Sequence, residues 1–319
     1  MKNVSAIVIS EHGEPATVAK LCDIELPDPA EGEVRVRVLL APINPADINV
    51  LEGKYPIRPE LPGVPGVEGV GVVEESAHGF EKGTRVLLPH RFGTWRAAGN
   101  AKAAELVAVP AHVPDEQAAM LRINPATALC MLREFVKLGP GDWVFQNAGN
   151  SAVGRCVVQM CRHYGWKSLS VVRREELLGE LGDIGADAVL LDSTELPRLG
   201  AKLALNAVGG DSATRLAAAL ANGGTIVTYG AMARQPLRIP NGQLIFNDIA
   251  WRGFWVSRWY QNAIPEARAA MFAELFRLVG SGVVATPVEA IYPLAEIARA
   301  LEHAAKSGRA GKVLLRCAE

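Results

Sequence analysis

A glycine-bearing turn at residues 145–159, FQNAGNSAVGRCVVQ, is the part of the sequence best suited to bind a phosphate group. The dinucleotide pattern Gly-x-Gly-x-x-Gly is met by Gly149 and Gly154, while Ser151 takes the middle position. We expect Gly149 to allow a sharp turn after the strand and Gly154 to allow close packing of the helix on the sheet. The N–H groups of residues 150–153 would then lie at the positive helix N-terminus, and the Ser151 hydroxyl would add a donor. A tight turn without a ligand is the alternative.

The tip of the following strand distinguishes between the two nicotinamide cofactors. This strand ends SLSVVRREE, so Arg173 and Arg174 stand where an NAD-binding fold has a carboxylate for the ribose 2'-hydroxyl. Guanidinium groups form charge-assisted hydrogen bonds with a 2'-phosphate, whereas a carboxylate repels it. The sequence therefore predicts NADPH. The alternatives are a solvated arginine face, or a ribose contact from Glu175 or Glu176.

The order of predicted elements indicates two domains. EVRVRVLLA alternates with period two, as expected of a half-buried strand, and helical periodicity is scarce before residue 115. From there on, helices alternate with short apolar strands, which is the pattern of a doubly wound parallel sheet. WRGFWV at 251–256 predicts a further strand, and a helix follows at 265–282. The tail 303–317 ends on an apolar strand that could return to the first domain.

Composition narrows the class of partner. The 319 residues include 33 basic and 34 acidic ones, a balance that gives no bias toward nucleic acid or anionic membranes. No window approaches the roughly 20 apolar residues of a membrane-spanning helix, and MKNVSAIVIS has neither a signal core nor an Arg-rich presequence. We expect a cytoplasmic protein with a small-molecule substrate. Cys156 and Cys161 fall on the apolar stripe of one predicted helix, so core packing is their expected role.

The chain as a whole resembles the medium-chain dehydrogenase/reductase superfamily, in which an irregular barrel is followed by a nucleotide domain and a C-terminal return. The resemblance implies an α/β fold with a Rossmann doubly wound parallel sheet and a GroES-like β-barrel. The implied catalytic domain covers residues 1–118 and is completed by 263–319, and the implied NADPH-binding domain covers 119–262. Zinc-dependent members carry a zinc-binding histidine where PGVEGVGVV has Val67. We expect no metal, since the early histidines are isolated from one another: His12, His78, His90 and His112.

Closer similarity is to the mitochondrial-type 2-enoyl thioester reductases, a zinc-free, quinone-reductase-like branch. The matching pieces are INPADINVLEGKYPIRPELP, FGTWR, INPATALCML, QNAGNSAVG, VVRR, YGAM and GFWVSRW. The resemblance implies a catalytic Tyr55. It also implies a set of NADPH contacts: Asn44, Asn124, Thr127, Gly149, Asn150, Ser151, Ala152, Val153, Gly154, Arg173, Arg174, Glu175, Tyr229, Gly230, Ala231, Met232, Phe254, Trp255, Val256 and Lys312.

A tyrosine suits the chemistry of such a reductase. Hydride addition to the β carbon of an enoyl thioester places negative charge on the carbonyl oxygen, which a neutral hydroxyl donor stabilises. Tyr55 lies between Gly53 and Pro56 on a loop of the first domain, where it could face the nicotinamide across the interdomain cleft. It could also deliver a proton to the α carbon, directly or through water. A half-buried structural tyrosine is the alternative.

We therefore expect an NADPH-dependent trans-2-enoyl thioester reductase, acting on coenzyme A or acyl-carrier-protein substrates in fatty acid biosynthesis. An NADPH:quinone or small-enone oxidoreductase is the first alternative, and a non-catalytic NADPH-binding protein is the second. Three tryptophans are candidates for an acyl channel, although core packing is the commoner role: Trp95, Trp255 and Trp259. Relatives pair through an edge strand, and the apolar IAWRGFWV would be a pairing hazard at such an edge, so we expect a homodimer.

Overall fold

The computed structural model of the chain describes residues 2–318. The strands are β1 Lys2–Val8, β2 Lys20–Leu26, β3 Glu33–Pro42, β4 Val70–Val73, β5 Arg85–Leu87, β6 Ala98–Lys102, β7 Val107–Ala108, β8 Trp143–Asn147, β9 Lys167–Val172, β10 Ala188–Leu191, β11 Ala201–Asn206, β12 Leu220–Thr228, β13 Ala250–Gly253, β14 Val288–Pro293 and β15 Lys312–Arg316. The helices are α1 Pro15–Val18, α2 Pro45–Leu51, α3 Asp115–Ala119, α4 Asn124–Glu134, α5 Ala152–Tyr164, α6 Leu177–Asp183, α7 Gly210–Ala218, α8 Asn241–Ile245, α9 Val256–Asn262, α10 Pro265–Gly280 and α11 Ile297–Ala305. A membrane-spanning helix needs a longer apolar stretch than any helix within residues 2–318 provides.

Two compact units make up the chain. The first consists of Met1–Ile123 and Ala285–Glu319, and the second of Asn124–Val284. The first unit contains a seven-stranded sheet in the order β14-β15-β3-β4-β5-β7, with β6 also paired to β3. On β3 the alternate residues Val34, Val36 and Val38 are buried, which confirms the period-two strand. The C-terminal strand β15 pairs with β3, so the predicted return of the tail to the first domain is confirmed.

The second unit is built on six parallel strands in the order β10-β9-β8-β11-β12-β13. Numbered along the chain from β8, this order is 3-2-1-4-5-6, which defines a doubly wound Rossmann sheet. The strand order reverses between β8 and β11, and ligands of such sheets bind beyond the carboxyl ends of the strands at that point. The predicted α/β fold class is confirmed.

The first boundary between the units differs from the predicted one at 118/119. Residues 119–123 belong to the first unit because they are held there by hydrogen bonds. Arg122 donates from Nη2 to the carbonyl oxygen of Glu105 at 3.0 Å, and the amide of Ile123 donates to Glu68 Oε2 at 2.9 Å.

The second boundary also differs from the prediction, which assigned 263–319 to the catalytic domain. Helix α10 instead belongs to the second unit, because it packs on α4. The sulfur atoms of Met271 and Cys130 are 3.8 Å apart, and Arg133 donates to Glu274 Oε1 at 3.2 Å. The apolar face of α10 is evident in the sequence, but the surface that it covers depends on packing.

The predicted buried face of helix α5 is confirmed, whereas the predicted end of strand β13 is wrong. The apolar stripe that includes Cys156 and Cys161 is buried along α5, as predicted. The strand predicted over 251–256 ends at Gly253, and Trp255 already caps α9. Within residues 2–318, β13 lies at one end of the six-stranded sheet.

Candidate active site

The turn after β8 forms a cradle that only small residues can form. Ala148 has φ of 51°, so it makes the left-handed turn that the sequence had assigned to Gly149. Gly149 is needed for another reason: a Cβ atom there would lie 2.6 Å from the Cβ of Ser170. At Gly154 a Cβ would lie 2.5 Å from the carbonyl oxygen of Gly149. Both glycines therefore permit close approach, and the predicted tight packing of the helix is correct.

The N-terminus of α5 has the features of an anion site. The Oγ atom of Ser151 accepts a hydrogen bond from the amide of Gly154 at 3.1 Å, which leaves the hydroxyl proton to be donated outward. The amides of Ala152 and Val153 lie in the first turn, where a helix offers no carbonyl partner. Gln146 donates to the carbonyl of Gly154 at 2.9 Å and fixes the turn to its strand. This arrangement fits a phosphate group.

The cofactor-binding segments predicted for the second unit follow the carboxyl ends of its strands. Residues 149–154 follow β8, 173–175 follow β9, 229–232 follow β12, and 254–256 begin directly after β13. Because all these strands are parallel, the segments lie at the same edge of one sheet. This edge carries the switch point between β8 and β11, where a dinucleotide would bind.

The arginine tip after β9 is open to solvent. Arg173 is exposed, as is Glu175, and Arg174 is partly buried. Arg174 Nε lies 3.3 Å from Glu176 Oε1, and both side chains of this pair remain largely solvated. A solvated pair of this kind contributes little to stability, so its arginine can exchange partners readily. The roles of these residues toward a 2'-phosphate stay a prediction.

Tyr229 contributes a buried polar atom beside the phosphate turn. Its hydroxyl is inaccessible to solvent and lies beside the Ser151 side chain, without a well-aligned hydrogen bond within residues 2–318. Burial raises the pKa of Tyr229, while the neighbouring Ser151 side chain opposes that rise. A buried hydroxyl without a well-aligned hydrogen bond is destabilising unless a ligand supplies the missing partner. Together with the Gly149–Gly154 cradle, this atom fits a bound cofactor.

The remaining residues of the second unit that are predicted to contact the cofactor differ in burial. The amide of Phe254 donates to the carbonyl of Thr228 at 2.9 Å, and Val256 is buried. Asn124 and Thr127 are buried on α4, whereas Met232 is exposed. Their contacts with a cofactor stay predictions.

A buried asparagine network supports the phosphate turn, and the sequence reasoning missed it. Asn147 Nδ2 donates to Asn206 Oδ1 at 2.9 Å and to Ser212 Oγ at 3.0 Å. Asn147 Oδ1 accepts from the amide of Ala207 at 2.7 Å, and Asn206 Nδ2 donates to Thr228 Oγ1 at 3.0 Å. The network links β8, β11 and β12 at the edge that carries the turn. Its signal in the sequence is an asparagine at the end of each of two apolar strands, FQN and LALN.

Tyr55 lies in the first unit, on the loop that leaves α2. Its amide donates to the carbonyl of Asn49 at 3.1 Å, and its ring is partly buried. Gly53 turns the chain with φ of 69°, in contact with His12, where a Cβ would lie 2.9 Å from the histidine Cβ. The guanidinium carbon of Arg91 lies 5.1 Å from the centroid of the tyrosine ring.

A buried ionic cluster lies at the start of α2. Lys312 Nζ donates to Asn44 Oδ1 at 2.6 Å and to the carbonyl of Ile43 at 3.1 Å. Asn44 Nδ2 donates to Glu68 Oε1 at 2.9 Å, while the amide of Asn44 donates to Asp47 Oδ2 at 2.8 Å. The family resemblance predicts that Asn44 and Lys312 contact the cofactor. The structure uses both side chains within this cluster, and their contacts with a cofactor stay predictions.

Burial shifts the pKa values of the ionisable groups in this cluster. Burial raises the pKa of Asp47 to about 7, and hydrogen bonding and the charge of Lys312 only partly oppose it. Burial likewise raises the pKa of Glu68 and lowers that of Lys312. Asp47 and Glu68 were not singled out from the sequence. Their signal in the sequence is one acidic residue in each of the mostly apolar stretches INPAD and PGVEG.

The same cluster does not fit a metal ion. Val67 has no ligand atom, and its amide donates to Asp47 Oδ1 at 3.1 Å. The carboxylate of Glu68 accepts from Asn44 and Ile123, and the cationic Lys312 lies beside it. Across residues 2–318, no group of three or more His, Cys, Asp or Glu side chains is arranged to hold a metal. Trp95, a candidate for an acyl channel, is instead fully buried in the core of the first unit.

Two family descriptions match the sequence, one towards each end of the chain. "Alcohol dehydrogenase GroES-like domain" matches residues 30–114, and "Zinc-binding dehydrogenase" matches residues 184–315. Among proteins of known name, the mitochondrial enoyl-acyl-carrier-protein reductase of Rattus norvegicus is 40% identical over 325 residues, covering 95% of this chain and 86% of the relative. The enzyme of the same name from Caenorhabditis elegans is 42% identical over 293 residues, covering 87% of this chain and 85% of the relative.

Solved structures are similar over almost the whole chain. Etr1p in complex with NADP and crotonyl-CoA is 29% identical with a TM-score of 0.90, covering 99% of this chain and 100% of its own. The mitochondrial 2-enoyl thioester reductase Etr1p/Etr2p heterodimer from Candida tropicalis is 30% identical with a TM-score of 0.90 and the same coverage. A mycobacterial quinone oxidoreductase is 26% identical with a TM-score of 0.86, covering 98% of this chain and 99% of its own.

Proposed function

The chain belongs to the mitochondrial-type enoyl-acyl-carrier-protein reductases of the medium-chain dehydrogenase/reductase superfamily, and on this premise we propose that it reduces trans-2-enoyl thioesters with NADPH. The observation that carries the proposal is the similarity, over 99% of the chain, to a reductase solved with NADP and crotonyl-CoA. The cradle at Gly149 and Gly154 supports the cofactor assignment independently, because its close approach and open helix terminus serve a phosphate group.

NADPH, when bound, supplies the hydride that reduces the double bond. The amides of Ala152 and Val153 would hold its pyrophosphate, and Arg173 and Arg174 would pair with its 2'-phosphate. Ser151 would donate its hydroxyl proton to a phosphate oxygen, since its Oγ already accepts from Gly154. These residues would bind and orient NADPH, and the binding energy would serve to position the cofactor and the substrate for reaction.

Tyr55 is the proposed catalytic residue. Its hydroxyl would donate a hydrogen bond to the thioester carbonyl oxygen as negative charge develops there during reduction of the β carbon. The α carbon then takes a proton from the same hydroxyl or from water. Tyr55 suits this role because the turn at Gly53 and the Asn49 carbonyl fix its backbone, while its ring keeps partial exposure.

The reaction is proposed to need no metal, and the chemistry of the buried cluster supports this. Glu68 accepts hydrogen bonds from Asn44 and Ile123, and the positive charge of Lys312 acts on both Asp47 and Glu68, which disfavours a cation there. We infer either coenzyme A or acyl carrier protein as the carrier of the acyl group, with fatty acid synthesis as the setting.

A homodimer is proposed, with β13 at the interface. Ile245 and Phe246, just before this strand, are 70% and 80% exposed. An apolar segment beside an unpaired strand edge is the kind of surface that a second copy covers.

One assay tests the function. Purified protein is mixed with NADPH and either trans-2-hexenoyl-CoA or 1,4-benzoquinone, and NADPH oxidation is followed at matched concentrations. We expect faster turnover with the enoyl thioester. Activity with the quinone alone would favour the second candidate, a quinone oxidoreductase, which the similarity to the mycobacterial enzyme makes worth testing. No turnover with either acceptor, despite NADPH binding, would favour a non-catalytic protein.

A further inference from the structure

Arg91 lies over the ring of Tyr55, and nothing in the sequence motifs singled it out. The guanidinium carbon is 5.1 Å from the ring centroid, within the roughly 6 Å range of a cation–π interaction. Arg91 has φ of 65°, a left-handed conformation that is unfavourable for a side chain of this size. Its amide donates to the carbonyl of Val67 at 2.9 Å, which holds that conformation in place.

The same side chain also holds the backbone beyond the tyrosine. Arg91 Nη1 donates to the carbonyl of Ile57 at 3.3 Å, two residues after Tyr55. The amide of Tyr55 is held by Asn49, and its carbonyl accepts from Arg58 Nε at 3.1 Å. Arg91 thus contacts both the ring and the following backbone from outside this loop.

Arg91 also links the tyrosine to the buried ionic cluster. Its positive charge acts on Asp47, lowering a pKa that burial raises to about 7. The Nε atom of Arg91 is buried and has no hydrogen-bond partner within residues 2–318. A guanidinium that is partly desolvated interacts more strongly with an aromatic face than a solvated one does.

We propose that Arg91 is a positioning residue for Tyr55, holding the phenol ring in the orientation from which its hydroxyl donates to the developing enolate oxygen. The proposal rests on the proposed function, because it assigns Arg91 a role through Tyr55. The proposed role does not require the guanidinium to touch the substrate. It fixes the ring from one face and the loop from the Ile57 carbonyl, so that the hydroxyl is already oriented when charge develops.

A double-mutant cycle tests the proposal. Arg91→Met keeps much of the side-chain volume and removes the cation, and Arg91→Lys restores the charge without the planar guanidinium. We expect Arg91→Met to lower kcat on trans-2-hexenoyl-CoA by about 5- to 30-fold, with KM and NADPH affinity nearly unchanged. Arg91→Lys should recover part of the loss. In a Tyr55→Phe background, Arg91→Met should change kcat by less than about twofold, because no hydroxyl remains to be oriented.

Arg133→Met is the matched control, since the Arg133 guanidinium lies 5.2 Å from the ring of Tyr164 in the second unit. It should leave kcat unchanged. An undiminished kcat in Arg91→Met, or an equal loss in the Tyr55→Phe background, would overturn the proposal.

Incorporated 3-fluorotyrosine gives a readout that does not require activity. The Tyr55 fluorine resonance, assigned with Tyr55→Phe, should shift in Arg91→Met but not in Arg133→Met. An inactive wild type would reject the function and leave this contact testable, while an unshifted resonance would reject the contact itself.

Discussion

The carbonyl oxygen of Gly149 lies 2.5 Å from the point that a Cβ atom on Gly154 would occupy. This close approach brings the first turn of α5 against the end of β8 and leaves the helix N-terminus open. A side chain at residue 154 must push the turn away from the strand, since the obstructing atoms belong to the backbone. The relationship makes Gly154 a direct test of the phosphate cradle.

Gly154→Ala should weaken NADPH binding by about tenfold or more and lower the free energy of unfolding by about 1–3 kcal/mol, the usual range for overpacking. Fluorescence titration and urea denaturation measure the two effects. Gly179→Ala is the control, because its Cβ on α6 meets nothing within 4 Å. It should be neutral or stabilising by about 0.4–1 kcal/mol. Normal NADPH affinity in Gly154→Ala would contradict the cradle.

Arg173→Gln should raise the dissociation constant for NADPH about tenfold or more and leave that for NADH unchanged. The reason is the loss of a charge-assisted hydrogen bond to the 2'-phosphate, which contributes about 1.5–3 kcal/mol. Arg198→Gln, at an exposed arginine of the same unit, should affect neither cofactor. Equal affinities of the wild-type protein for NADPH and NADH would reject the assignment of the arginine tip to the 2'-phosphate.

Tyr55→Phe should lower kcat on trans-2-hexenoyl-CoA by about 10² to 10³, the usual effect of losing one oxyanion donor. NADPH affinity and KM should change little, because the hydrogen bond strengthens mainly in the transition state. Tyr292→Phe, which removes another hydroxyl of the first unit, is the control and should retain full kcat. Circular dichroism establishes that both variants fold. Undiminished turnover in Tyr55→Phe would exclude this residue from the mechanism.

Lys312→Met should be more destabilising at pH 8 than at pH 5.5. Asp47 and Glu68 have pKa values raised by burial, so the folded chain binds more protons than the unfolded chain and stability falls as pH rises through about 7. Lys312 opposes this fall in the native protein, because its positive charge lowers the pKa values of both carboxyls. At pH 5.5 both carboxyls are largely protonated, and removing the ammonium group also removes the cost of burying it.

The expected loss at pH 8 is about 3–5 kcal/mol, as when a buried charge is left uncompensated, and it should shrink or reverse at pH 5.5. Urea denaturation at the two pH values measures it. Lys202→Met removes a surface pair with Asp142 at 2.9 Å and should lower stability by less than about 1 kcal/mol at both. A loss in Lys312→Met that does not depend on pH would show that the cluster does not titrate as described.

Phe246→Asp should convert a homodimer into a monomer. Light scattering of the wild type should give twice the chain mass of 34.0 kDa, and the variant should give the single mass. A charge at this exposed apolar position would have to be desolvated in a dimer interface. Ile264→Asp, at another exposed apolar residue of the second unit, should leave the dimer intact. A monomeric wild type at micromolar concentration would refute the assembly.

Local patterns in the sequence determined the type of most elements. The alternation of EVRVRVLLA specified β3, and the apolar stripe with Cys156 and Cys161 specified the buried face of α5, because side-chain periodicity follows directly from backbone geometry. The glycine spacing at the phosphate turn was readable for the same reason. These features involve residues within one or two turns of each other, so the chain needs no distant partner to specify them.

Tertiary structure decided which distant groups meet. Asp47, Glu68 and Lys312 form one cluster although they are far apart along the chain, and each looks like an ordinary charged residue in the sequence. The position of Arg91 over Tyr55, and the assignment of α10 to the second unit, likewise depend on how the elements pack. Ala148 makes the left-handed turn expected of Gly149, whereas residue 149 must be glycine because the neighbouring strand leaves no room for a side chain there. Sequence patterns report each residue's own backbone preference, whereas burial, pairing and close approach depend on residues that only the folded chain brings together.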